Sequence, residues 1–147
     1  MILQLFIGSL VISLTITTQA VFIGLAIAGL NRIGPWFVTP QRKYKTVVAM
    51  IGITLWLLAA HSIGVWMWAL TYLMVDAFNA LEPALYFSVV SFTTLGFGDI
   101  TLPIQWRILS GLSAANGLIL FGLSTAFLVE FLARLRQALD EDKHARS

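Results

Sequence analysis

Hydrophobic and charged positions divide the chain into four apolar runs. No charged side chain occurs from Met1 to Asn31, from Thr46 to Val75, from Pro83 to Gly98, or from Ile108 to Val129. A helix rises about 1.5 Å per residue, so crossing a hydrocarbon layer of about 30 Å takes about 20 apolar residues. The first, second and fourth runs are long enough. The third has 16 residues and ends in Gly and Thr, which predicts a half-helix that enters the membrane and returns as extended backbone. The pattern predicts an all-α membrane protein with three transmembrane helices and one re-entrant segment. Its expected parts are an N-terminal transmembrane helix over 1–31, a basic loop over 32–45, a second membrane unit over 46–136 and a short tail over 137–147. The second unit comprises an outer helix (46–75), a re-entrant helix (83–93), an extended segment (94–99) and an inner helix (106–136).

Composition agrees with lipid as the solvent. Hydrophobic residues make up 59% of the chain and charged residues 11%, against about 25% charged in soluble domains. Cysteine is absent, which excludes disulfides, thiolate metal sites and a cysteine nucleophile. The start lacks a basic leader region and its apolar run continues past Ala20, so a retained helix is expected rather than a cleaved leader. Ser13, Thr15, Thr17, Thr18 and Gln19 fall at mid-span and are expected to hydrogen-bond between helices.

Placement of the basic residues predicts orientation. Arg32, Arg42, Lys43, Lys45, Arg134, Arg136, Lys143 and Arg146 fall on one side of three crossings, and Arg107 alone on the other. The excess marks the cytoplasmic side, which puts the N-terminus and the re-entrant segment outside a plasma (inner) membrane and the C-terminus within. Trp66, Trp68, Tyr72 and Trp106 are expected in an outer aromatic belt, and Trp36 and Tyr44 at the inner interface.

The re-entrant run carries the most specific chemistry. Pro83 suits the first turn of a helix and Glu82 its positive end. A helix starting there and running inward aims its negative end at the membrane centre, which favours a cation. Thr93-Thr94-Leu95-Gly96-Phe97-Gly98-Asp99 follows. Non-helical backbone at membrane depth is tolerated only inside protein or along a water-filled path. Gly96 and Gly98 permit positive φ at alternate positions, which turns successive carbonyls to one side. Four such strands around an axis make stacked oxygen rings able to replace the hydration shell of K⁺, with the Thr94 hydroxyl as the innermost ring.

Thr-Thr-Leu-Gly-Phe-Gly-Asp resembles the signature of the potassium-channel family, T-x-G-[YF]-G-D, and Ala84–Asp99 resembles the pore-helix-plus-filter segment of small prokaryotic and two-pore-domain members. The resemblance covers the second span onward; the first span lies outside it. It implies a tetrameric pore-loop channel in which the carbonyls of Thr94, Leu95, Gly96 and Phe97, with the Thr94 hydroxyl, hold K⁺. Gly98 completes the filter, and Thr93 and Asp99 support it and the outer mouth. Phe97 stands at the usual Tyr position and Leu95 at a position usually Val or Ile. Val90 replaces a Glu that some relatives place beside the Asp.

Elsewhere the readings are local. Gly117 suits either a hinge of the inner helix or close packing, with packing favoured for Gly111 and Gly122. Asn116 either lines the cavity or hydrogen-bonds a neighbouring helix. Glu130 is expected to pair with Arg134 at i,i+4, and His61 to link helices as a neutral ring. No Arg-rich voltage sensor, nucleotide-binding motif, zinc motif or catalytic triad is present. The expectation is a non-enzymatic homotetramer surrounded by membrane lipids, with K⁺ as cargo, no cofactor and no nucleic acid. The rivals are a nonselective cation channel and an accessory subunit acting with a heteromeric partner.

Overall fold

The computed structural model describes the backbone of residues 1–38 and 43–145, and the side chains of 1–30, 32 and 44–137. Four α-helices follow in order: α1 (Ile2–Val38), α2 (Lys43–Met74), α3 (Leu81–Phe92) and α4 (Arg107–Ala145), the last preceded by a 3₁₀ turn over Ile104–Trp106. No strand occurs among the described residues. Three segments are long and apolar enough to cross a membrane: Ile2–Leu30, Tyr44–Met74 and Ile104–Gln137. The 12 residues of α3 extend about 18 Å, about half a hydrocarbon layer.

The helices run further than the sequence implied. α1 continues through Arg32, and α2 begins at Lys43, so Arg32 and Lys45 sit on helices rather than in a loop. Arg32 is exposed and Lys45 is buried. Arg42 and Arg146, and the side chains of Trp36, Lys43 and Lys143, lie outside the described residues. α4 runs past the expected end at 136 to Ala145. The Glu130–Arg134 pair is present at 2.7 Å, on an exposed face, where such a pair contributes about 0.3–0.5 kcal/mol.

Each membrane helix buries one narrow stripe and leaves the rest of its apolar surface outward. On α1 the stripe is Gln4, Gly8, Val11, Thr15 and Gln19, a spacing of three and four that follows the helical period. Two of the expected belt residues belong to the interior: Trp68 and Tyr72 are fully buried. They share the face of α2 that meets α3 and α4, where Tyr72 packs edge-on against Phe87, centroids 5.2 Å apart. Trp66, on the other face, is exposed. The core cluster of Val11, Trp68, Tyr72, Phe87, Phe92 and Leu109 draws on all four helices.

Candidate functional site

The end of α3 determines how the extended segment begins. The Thr94 N–H donates to the Ser91 carbonyl (2.9 Å) and the Leu95 N–H reaches back to the Val90 carbonyl (3.0 Å). These are the paired bonds of a Schellman cap, which requires a left-handed residue between helix and exit. Thr94 is that residue, with φ at 60°. α2 ends in the same way: Asp76 has φ at 52°, its N–H bonds to the Leu73 carbonyl, and Ala77 N–H bonds to the Tyr72 carbonyl. Glycine is usual at such a position. A β-branched threonine there carries strain of about 1–3 kcal/mol, sustained only where neighbours over-determine the geometry.

Left-handed backbone then recurs at every second residue: Gly96 has φ at 55° and Gly98 at 78°, while Leu95 and Phe97 are not in the positive range. The expected positive φ at the two glycines is found, and Thr94 adds a third that spacing alone had not suggested. The Gly96 N–H also donates to the Val90 carbonyl, at 3.3 Å, so this one carbonyl holds two successive residues of the exit.

α3 is fastened on both sides. Ser88 Oγ donates to the Val65 carbonyl of α2 (2.6 Å), and Ser91 Oγ to the Ser110 carbonyl of α4 (2.9 Å). Its last residue, Phe92, is fully buried. A Cβ at Gly64 of α2 would lie 3.2 Å from the Phe92 ring, and a Cβ at Gly117 of α4 would run into the Phe92 carbonyl oxygen. Gly117 is therefore a close-approach glycine within an unbroken helix. Nothing lies within 4 Å of a Cβ at Gly111 or Gly122, so the packing expected for these two is not made within the protomer. Gly111 instead borders an open groove of about 330 Å³, between Thr94, Gly96 and Gly98 on one side and Ser110 and Ala114 on the other.

Asn116 is not on that groove. It is fully buried, and its Oδ1 accepts from Trp68 Nε1 of α2 and Thr15 Oγ1 of α1, both at 2.9 Å. The two donors point the amide inward among three helices, which excludes a cavity-lining place in this protomer. His61 links α2 to α4: its Nδ1 lies 2.7 Å from the Leu57 carbonyl and its ring stacks on Phe121 at 4.5 Å.

At the far end of the extended segment, the Tyr86 hydroxyl donates to Asp99 Oδ2 at 2.6 Å. This bond holds the Asp99 carboxyl below its usual range, and it pushes the Tyr86 phenol up. The sequence reading passed over Tyr86. The available signal was a phenol on the first turns of a half-helix whose chain returns to the same level. The segment itself is exposed, Leu95 at 57% and Phe97 at 66%.

Residues 63–134 match the family described as ion channel, a span from the middle of α2 through α3 and the extended segment into α4. No curated protein and no solved structure matches the chain. A segment similar to the ion-channel family thus occupies the centre of an all-helical membrane protein with three candidate spans among the described residues. The match supports an ion-channel subunit.

Proposed function

We propose that the chain is one subunit of a homotetrameric, potassium-selective channel that carries K⁺ passively down its gradient. The observation that carries this reading is the alternation of left-handed backbone at Thr94, Gly96 and Gly98. Alternate handedness turns successive carbonyls to the same side, so the carbonyls of Thr94, Leu95, Gly96 and Phe97 form one column of oxygens. One column is a quarter of a binding site. Four around an axis give rings that replace the water around a dehydrated K⁺, and closed rotational symmetry is the usual way for identical chains to supply them.

Two further features support the assembly. Leu95 and Phe97 expose large apolar side chains beside a polar backbone, a surface that packing of copies around an axis would cover. α3 aims its C-terminal, negative end at the start of the column, and Glu82 lies in its first turn at the other end. The basic residues favour an orientation with the N-terminus outside and the C-terminus in the cytoplasm of a plasma-membrane location. Asp76, Glu82 and Asp99 then outnumber Arg107 on the outer side, which concentrates cations there. Membrane lipids surround the assembly; K⁺ is cargo, and the reading needs no cofactor.

The test is flux from purified protein in liposomes, with K⁺ and Na⁺ gradients measured in turn. K⁺ flux well above Na⁺ flux is expected. Equal permeability would end the selectivity claim in favour of a nonselective cation channel, and a tetramer silent alone but active with a second channel protein would indicate an accessory subunit.

A further inference from the structure

α1 lies outside the matched ion-channel span, yet its buried stripe is unusually polar. Gln4 Oε1 accepts from the Ile108 N–H at 3.1 Å, Thr15 Oγ1 donates to Asn116 at 2.9 Å, and Gln19 Nε2 donates to Ser124 Oγ at 2.8 Å. All three partners belong to α4, so one face of α1 follows that helix from its first turn to about its midpoint.

We propose that α1 is a clamp on the pore-lining helix α4, and that opening of the pore requires α4 to break from α1 at Gln19–Ser124. The inference rests on the channel reading above. α4 leans on the end of α3 at Gly117, where no side chain separates it from the Phe92 carbonyl. That contact is a fulcrum one residue from the Asn116 link. Ser124 lies two turns from that fulcrum, about 10.5 Å along the axis. Any swing of the inner half of α4 about Gly117 therefore moves Ser124 much further than Asn116.

Ser124 is also the middle of a directed chain. The Leu57 carbonyl can only accept, so in the neutral ring His61 Nδ1 carries the hydrogen and Nε2 is the acceptor. The Ser124 hydroxyl faces Nε2 at 3.5 Å while it accepts from Gln19. The order is Gln19 to Ser124 to His61, from α1 through α4 to α2. The chain is built to be broken: its second contact is long, and Gln19 Oε1 is buried without a hydrogen-bond partner among the described residues. Buried polar links between membrane helices are modest in strength, which suits a contact made in one state and lost in another.

The test uses single-channel recording from the reconstituted tetramer, with wild type beside Gln19→Leu, Ser124→Ala and the double variant. Each single change is expected to shift the open-to-closed ratio at least fivefold, and the double variant by no more than the larger single. An unchanged ratio in tetramers of wild-type thermal stability would overturn the clamp. A second pair is independent of those hydrogen bonds. A Cβ at Gly8 would lie 3.4 Å from the Leu112 Cβ, close to the spacing of a disulfide, and the chain has no cysteine of its own. Gly8→Cys with Leu112→Cys, oxidised by tetrathionate, should form an intrachain bridge visible by mass on the fixed side of the fulcrum and leave opening within twofold of the reduced protein. Failure to bridge in the membrane, or a bridge that lowers opening fivefold or more, would overturn the proposal, because α4 would then part from α1 outside Gly117. Wild-type protein that carries no ion at all would instead overturn the channel reading.

Discussion

The extended segment and the helix junction behind it meet at Phe92, yet they are held by different means. Residues 94–98 are exposed, and the hydrogen bonds that shape their start run from their own N–H groups to carbonyls of α3. Behind Phe92, side chains from α1, α2 and α4 interlock: Thr15, Trp68 and Asn116 around one amide oxygen, and Gln19, Ser124 and His61 in a chain. The first region depends on backbone conformation, the second on side-chain shape and pairing. Substitutions should therefore damage them differently, one through φ and the other through volume and unpaired polar atoms.

Gly96→Ala gives the largest expected effect and tests the backbone half. A Cβ there meets nothing within 4 Å, so no clash arises; the cost is the left-handed φ of 55°, about 1–2 kcal/mol for an L residue, repeated in each copy of the tetramer proposed above. The expected result is loss of K⁺ flux by at least a hundredfold in liposomes, with tetramer retention on size exclusion unchanged. Flux at the wild-type level would break the distinction, because the column would then tolerate a side chain where only glycine fits easily.

Gly117→Ala is the converse. Its φ is ordinary, but the added carbon would run into the Phe92 carbonyl oxygen, a backbone atom that cannot swing aside. Overpacking of this kind costs about 1–3 kcal/mol or more, and thermal unfolding in detergent should show it as a lower midpoint. Gly122→Ala, with open space at its Cβ, is the control, and helix propensity predicts a neutral result or a gain of up to about 1 kcal/mol. Equal midpoints for the two variants would mean that α4 does not rest on α3 as described.

These two glycines also mark how far the sequence could be read. The extended segment was legible because its determinants are local: a half-length apolar run, Pro83 near its start, and glycines at alternate positions over a few residues. The three spans were legible from charge spacing alone. The junction was not, because its partners stand 48 to 105 positions apart. Which polar residue turns inward depends on how each helix is rotated, which apolarity on all sides conceals. Thr15 and Gln19 face α4, whereas Ser13, Thr17 and Thr18 bond back to carbonyls of their own helix. Trp68 read as an interface anchor for the same reason. A single turn of α2 carries both it and Trp66, and only packing against α3 and α4 assigns one to the interior.

Asn116→Leu sharpens the side-chain half. Removal of the amide oxygen leaves Trp68 Nε1 without its acceptor, while Thr15 Oγ1 can fall back on the Ile12 carbonyl at 2.8 Å. One orphaned buried donor costs about 1–3 kcal/mol, toward the lower end between membrane helices, where the average polar link contributes about 0.6 kcal/mol. The expected drop in unfolding midpoint should be largely absent when Trp68→Phe is already present, since that change removes the donor. Full additivity of the two would show that the bond contributes nothing to the junction.

Tyr86→Phe is the smallest expected effect and the one that joins the two regions, because Tyr86 lies on α3 and Asp99 at the far end of the extended segment. The phenol is pushed up and so remains a donor through neutral pH, and its hydrogen bond holds the Asp99 carboxyl below the usual carboxylate range. The sign follows from that depression. Support from the carboxylate is present above the ordinary Asp value of about 3.9 and is lost only as external pH falls through the lower value in the folded protein. Wild-type K⁺ flux should hold as the outer solution is acidified to about pH 4. In Tyr86→Phe the carboxylate loses its donor and protonates at a higher pH, so the fall in flux should begin earlier on the same titration. Superimposable curves for the two proteins would show that the outer end of the segment does not depend on this bond, and that its fastening comes from the Val90 and Ser91 carbonyls at the other end alone.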